Sequence, residues 1–119
     1  MVSVVNVRPF AEADSARWNE FVFACPGATF FHRIEWRGIM RDVFRHRTHY
    51  LLAERDNRIV AVLPLAEVKS RLFGHALTSL PFAVYGGIAG DDVEAVAALE
   101  AAAEDLARKA GVQHLADLV

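Results

Sequence analysis

The sequence predicts an α/β fold: a mixed, mostly antiparallel sheet flanked by helices, in the order β-α-α-β-β-β-α-β, as a single domain over residues 1–119. Three observations predict it. Two apolar runs, residues 48–54 and 59–68, are joined by Arg55-Asp56-Asn57-Arg58, and the Asp-Asn pair accepts the positive φ of a tight type I′ hairpin. Two stretches with apolar residues at helical spacing precede them. A long Ala-rich segment follows, acidic at its start and basic at its end, as a helix dipole favours.

Taken in order, Val2, Val4, Val5 and Val7 predict a first strand over residues 2 to 8 that stops at Pro9, which has no N–H for the ladder. Asp14 or Ser15 can cap a helix whose Trp18, Phe21, Val22 and Cys25 share a face, and Pro26-Gly27 ends it. Cys25 reads as a small buried hydrophobe, since no basic neighbour would stabilise a thiolate. A second helix is expected from His32 to Phe44, with Trp36, Ile39, Met40, Val43 and Phe44 on one arc. Arg33, Arg37 and Arg41 line its flank, and Arg45 and Arg47 extend that stripe. Glu35 and Asp42 fall on the far side, so the stripe is expected to stay without neutralisation inside its own helix. The bland account is a solvated flank; the functional one is a contact surface for an anionic substrate or a partner domain.

The run Ile59–Val68 is apolar on both faces at first, which suits a central strand covered on each side. Pro64 interrupts it and predicts a bulge or a local parting of the strands. A basic connection over residues 69–75 leads to a strand over Ala76–Leu80. The long helix spans Asp91–Ala110, with Asp91 and Glu94 as a capping pair, Val96, Leu99, Ala103, Leu106 and Ala110 on one face, and Gly111 as its stop. Residues 112–119 form the last strand. A chain that stops directly after a strand predicts further sequence, a second half, beyond Val119.

Composition excludes several classes. An apolar content of 54% supplies one core, and a net charge of −2 gives no global basic field for DNA or an anionic membrane surface. Charges and prolines break every apolar run well before about 18 residues, so no transmembrane segment is expected. Residues 2–7 are too short and alternating for a signal peptide, and a lone Cys25 makes no internal disulfide, which together predict a cytoplasmic protein. No GxSxG elbow, P-loop or HExxH pattern is present. The close pair His46 and His49 lacks the neighbouring carboxylates in sequence that a metal site needs, so no metal is expected.

The stretch Leu77–Asp92, LTSLPFAVYGGIAGDD, joins the last apolar runs to the long helix. Its Gly86-Gly87 pair and Gly90 before a helix look like a phosphate cradle. Asp91, Asp92 and Glu94 argue otherwise, because their carboxylates occupy the helix end that would attract a pyrophosphate.

Three pieces of the chain carry a family resemblance: ATFFHRIEW at 28–36, LPLAEVKSRLFG at 63–74 and SLPFAVYGG at 79–87. With them the chain resembles, over nearly its whole length, the N-terminal part of FemAB-like proteins of exosortase/PEP-CTERM and exopolysaccharide loci, which have the GNAT acyltransferase fold. The resemblance implies the first of two GNAT-like halves of an aminoacyl or acyl transferase acting on an envelope precursor. This stretch would contribute acceptor binding or interdomain packing and be inactive alone. It implies no cofactor within this stretch, with acyl-CoA or aminoacyl-tRNA serving the full-length protein. Its partners would be the second half, or another copy of the chain through the C-terminal edge strand, and a small-molecule or envelope-precursor acceptor. By the same resemblance His32, Glu35, Trp36, Phe82, Tyr85, Gly86 and Gly87 occupy the characteristic motif positions, with no catalytic step assigned to any. Read from the residues alone, Trp36 is a core residue and His32 a helix-start residue or hydrogen-bond partner. Tyr85 could donate to a substrate carbonyl or plug a sheet edge, and the glycines could serve only a turn. The rival readings are a small stand-alone CoA-dependent N-acyltransferase and a non-enzymatic module pairing through its edge strand.

Overall fold

Three stretches of alternating apolar residues build the first sheet. The computed structural model describes residues 4–70, 74–78, 87–111 and 114–116. In it β1 (Asn6–Pro9), β3 (Leu51–Arg55) and β4 (Arg58–Leu63) form an antiparallel sheet in the order β1-β3-β4. Side chains along a strand point alternately to opposite faces, and here both faces are apolar. Leu51, Ala53, Ala61 and Leu63 face one way and pack with Leu65 against Ala95, Leu99 and Ala103 of α3 (Val93–Ala110). Leu52 and Val62 face the other way, with Trp18 and Val22 of α1 (Ser15–Ala24), Phe10, Tyr50 and Ala89. The sheet is thus sandwiched between α1 and α3, as the doubly apolar start of the run Ile59–Val68 predicts, but β4 lies at the end of the order β1-β3-β4 and not at its centre.

A second sheet has the order β2-β5-β6-β7, from β2 (Arg47–Thr48), β5 (Ala66–Ser70), β6 (Gly74–Thr78) and β7 (His114–Ala116). Its pairings are antiparallel except for the parallel β6–β7 pair. Pro64 sits where the chain leaves one sheet for the other: β4 ends at Leu63, β5 begins at Ala66, and Pro64 is fully buried between them. The parting expected at Leu63-Pro64 is present. The facing stretch of chain parts at the same level, because β2 pairs with β5 and β3 with β4, while the His49 N–H donates to the Leu65 carbonyl at 2.9 Å across the junction.

The hairpin is as expected: Asp56 and Asn57 have φ of 52° and 62° between β3 and β4. Other boundaries move. Among the described residues the first strand covers Asn6–Pro9, starting after Val4 and Val5 and taking in Pro9, where a strand over residues 2 to 8 is expected, and Val4 is exposed. As an edge strand it accepts Pro9, opposite Leu51, without loss of a ladder bond on its inner side. The second helix, α2 (Glu35–Asp42), starts three residues later than expected and ends two earlier. Residues Phe30–His32 form a separate 3-10 turn, and Arg33 is extended (φ −63°, ψ 146°), so the helix cannot run back to His32. Only Met40 of its expected arc is fully buried, while Val43 and Phe44 are exposed. The two strands expected on either side of the hairpin become four, since each divides at the junction between sheets.

Charge closes one end of the first sheet. Of the two cap candidates, Asp14 and Ser15, Asp14 stands at the N-cap of α1, but its carboxylate makes no cap bond to that helix and accepts from Arg8 (2.7 and 2.8 Å), Arg17 (3.3 Å) and the Ala11 N–H (2.9 Å). Glu54 completes the network, 2.8 Å from Arg8 and 2.7 Å from Arg17. The bidentate bond from Arg8 holds the Asp14 carboxyl down to about 2.

The segment before α3 is fixed by close packing. Val62 and Ala89 exchange backbone bonds of 2.9 and 3.0 Å on the free side of β4. Gly90 follows with φ 145°, and a Cβ there would stand 2.7 Å from the Val60 carbonyl oxygen and 2.8 Å from the Ala61 Cβ. Gly90 therefore serves the approach of this segment to the sheet. Replacing it should be costly: Gly90→Ala is expected to lose on the order of 2–5 kcal/mol of unfolding free energy in urea, combining backbone strain with overlap. Gly27→Ala, with open space around the new methyl, should stay within about 0.5 kcal/mol; equal effects at the two glycines would contradict this packing.

Candidate functional site

Thr29 caps the start of the motif turn. Its hydroxyl accepts the Phe31 N–H at 3.2 Å, which closes the turn Phe30–His32 and swings His32 inward. His32 is buried. The Thr29 backbone N–H donates to its Nδ1 at 3.0 Å, and Nε2 lies 3.0 Å from the Gly87 carbonyl, 55 residues away in sequence. A ring nitrogen that accepts from a backbone N–H carries no proton, so the proton is assigned to Nε2, which donates to Gly87. The His32 carbonyl in turn accepts from Trp18 Nε1 at 2.7 Å. One residue thereby ties α1, the 28–36 motif and the 79–87 motif together. Its burial lowers the imidazole pKa below the ordinary value, because a charged ring would lose water.

Asn19, next to Trp18 on α1, holds the entry to α2. Its Oδ1 accepts from the Ile34 N–H at 2.9 Å, and its Nδ2 donates to Glu35 Oε1 at 3.0 Å. Glu35 is exposed, and the Asn19 bond, followed by nearby donors, keeps its carboxyl below the usual range. Arg33 reaches the other oxygen, Oε2, at 3.0 Å, while its guanidinium lies over the rings of Phe23 (5.2 Å) and Phe30 (5.7 Å). Trp36 meets Phe30 at 5.9 Å and Phe31 at 5.3 Å between ring centroids. Phe30 is 60% exposed and Phe23 72% exposed. The result is an open aromatic shelf beside an Arg–Glu pair. A depression of about 170 Å³, lined by Phe30, Arg33, Glu35, Trp36 and Ile39, lies on it. Such a surface can stack an apolar or planar group and orient a polar one. It presents no nucleophile.

Of the expected site residues, His32, Glu35, Trp36 and Gly87 come together around this turn. Phe82, Tyr85 and Gly86 lie outside the described residues. Trp36 is half-buried and outside both apolar clusters, so it is not the core residue its spacing predicts; that place belongs to Trp18, which is fully buried and stacks on Tyr50 at 5.4 Å. Trp18 and Asn19 are the positioning residues that the sequence reading passes over. The Trp18 apolar spacing marks a core face but carries no sign of its bond to His32, and nothing around Asn19 marks a clamp.

Two further expectations are corrected. The arginine stripe is neutralised: Arg33 pairs with Glu35 (3.0 Å), Arg37 with Glu12 (2.8 Å) and Arg41 with Asp42 (2.9 Å). Glu35 and Asp42 are thus partners of Arg33 and Arg41 within the same segment, while Arg37, as expected, finds no partner among the described residues of its own helix and pairs with Glu12 outside it. His49 does have a carboxylate neighbour, Glu67 at 2.9 Å, brought by pairing of the strands rather than by sequence proximity. Among the described residues no group of three or more His, Cys, Asp or Glu could hold a metal ion, and no helix is long and apolar enough to cross a membrane.

At the start of α3 the cap is Asp92 rather than Asp91. Its carboxylate accepts the Ala95 N–H at 3.1 Å and is itself gripped by Arg55 at 3.1 and 3.2 Å. The helix end that a phosphate would approach is occupied by this pair.

The buried neutral imidazole sets a pH dependence. The unfolded chain takes up a proton at His32 as pH falls below about 6.5, whereas the folded chain resists. Its contribution is therefore complete above that value and is lost as pH falls toward the lowered folded value. Unfolding free energy should drop between pH 7 and 5, at no more than about 1.4 kcal/mol per pH unit from this group. His32→Gln should flatten the slope; a wild-type stability that rises as pH falls across this window would contradict the assignment.

No protein-family model matches the chain, and no curated protein matches it. Among solved structures, the chain is similar to the crystal structure of a point mutant of TTHA1254 from Thermus thermophilus, at 23% identity and a TM-score of 0.65. The match covers 93% of this chain and 73% of that one, and it shows a shared mixed α/β fold.

Proposed function

We propose that the chain is part of a FemAB-like aminoacyl or acyl transferase of GNAT fold, acting on an envelope or exopolysaccharide precursor and contributing acceptor binding or interdomain packing. The observation that carries this reading is the His32–Gly87 bond, which joins two of the three stretches that carry the family resemblance, residues 28–36 and 79–87, at one place. The exposed rings of Phe23 and Phe30, with Trp36 and the Arg33–Glu35 pair, offer the surface that an acceptor or a second half would cover. Acyl-CoA or aminoacyl-tRNA would be handled by the remainder of the longer protein. His32 acts here as a positioning residue, since both ring nitrogens are committed to backbone partners.

The stand-alone CoA-dependent reading has less support. A pyrophosphate would have to displace Asp92 from the N–H of Ala95 and from Arg55. Calorimetry on the chain should show no saturable micromolar binding of acetyl-CoA; such binding, abolished by Gly87→Val, would favour the rival reading.

In the longer transferase, Phe30→Ser and Trp36→Ala should lower transfer to the precursor about tenfold or more while unfolding midpoints fall little, because both side chains are partly exposed. Equal activity of both variants per folded molecule would remove the shelf from the acceptor path and from the packing of the halves.

A further inference from the structure

The neutralised stripe leaves a remainder. Among the described residues Arg33, Arg37 and Arg41 each meet a carboxylate, whereas Arg45 and Arg47 meet none. Both line a cleft of about 350 Å³ together with Phe44, His46 and Glu67. The cleft lies at the end of α2, where the chain turns into β2. Glu67 is largely buried, and its carboxylate is engaged by His49 Nε2 at 2.9 Å. Arg47 stands directly opposite Glu67 in the β2–β5 register.

The backbone at Arg45 is informative. Its φ is 59°, in the left-handed region, just beyond the last turn of α2, where the His46 N–H returns to the Met40 carbonyl at 2.9 Å. Such helix-ending positions ordinarily carry Gly or Asn, which occupy this conformation with little strain. An arginine there is held in an unfavourable backbone state while its side chain lines the cleft.

We propose that this cleft binds a small molecule carrying a phosphate or diphosphate, held by Arg45 and Arg47 with the His46 side chain beside them. A lone carboxylate needs one guanidinium fork, whereas two forks on one cleft fit the several oxygens and higher charge of a phosphate group. The site is separate from the aromatic shelf and does not depend on the transferase reading. It also differs from a helix-end cradle, since the N-terminus of α3 is closed by Asp92.

The test is calorimetry of the chain with inorganic pyrophosphate at low ionic strength. Saturable binding is expected, weakened about tenfold or more by Arg45→Gly and by Arg47→Gln. Arg58→Gln should leave it unchanged, because Arg58 also meets no carboxylate but lies on the hairpin, outside the cleft. Arg45→Gly relieves the left-handed strain, so its unfolding midpoint should not fall, which separates lost binding from lost folding. Absence of saturable binding, or equal weakening by Arg58→Gln, would overturn the proposal. So would Arg45- and Arg47-dependent capture by phosphatidylglycerol vesicles that pyrophosphate does not displace, since the cleft would then serve a membrane surface.

Discussion

The buried imidazole of His32 is the constraint on which the arrangement around the candidate site depends. Three segments with no local reason to meet converge on this residue: the capped turn through the Thr29 N–H and the segment before α3 through the Gly87 carbonyl at its ring, and α1 through Trp18 Nε1 at its backbone carbonyl. Each bond also satisfies a polar group that burial would otherwise leave unpaired, at a cost of about 1–3 kcal/mol apiece. The aromatic shelf inherits its position from this junction, since Phe30 and Phe31 belong to the turn that His32 closes.

The second constraint is the division of the chain between two sheets at Pro64. Because β3 and β4 carry apolar residues on both faces, α1 and α3 can cover them from either side. Beyond Pro64 and Tyr50 the same two stretches of chain continue as β5 and β2, and their separation from the first sheet brings Glu67 beside His49 and opposite Arg47. The aromatic shelf at the 28–36 turn and the basic cleft after α2 are therefore distinct surfaces. Among the described residues of the arginine stripe, pairing of Arg33, Arg37 and Arg41 with nearby acids leaves Arg45 and Arg47 without a carboxylate.

Local chemistry made part of this legible. Asp56-Asn57 specifies its hairpin because few residues tolerate two successive positive φ values. Gly111 stops α3 in the left-handed conformation for the same reason. Pro64 announces the parting of the strands through its missing N–H. Errors concentrate where distant residues decide. The start of α2 is set by the Thr29 cap and by Asn19 on another helix, so helical periodicity alone extends it too far. Trp36 lies on an apolar arc, yet the space under that arc is filled by Met40, and the ring packs sideways on Phe30 and Phe31. Nothing near His32 in sequence shows that its partner is Gly87. His49 and Glu67 are likewise neighbours only after β2 and β5 pair.

The protonation state of His32 tests the account most directly, because one tautomer satisfies both of its backbone bonds. Long-range proton–nitrogen NMR spectra of the imidazole should show the neutral ring with its proton on Nε2 at about pH 7.5, protonating only below the ordinary histidine value of about 6.5. A His32 ring that protonates at or above that ordinary value, or that carries its proton on Nδ1, would contradict the bridge to Gly87 and the organisation built on it.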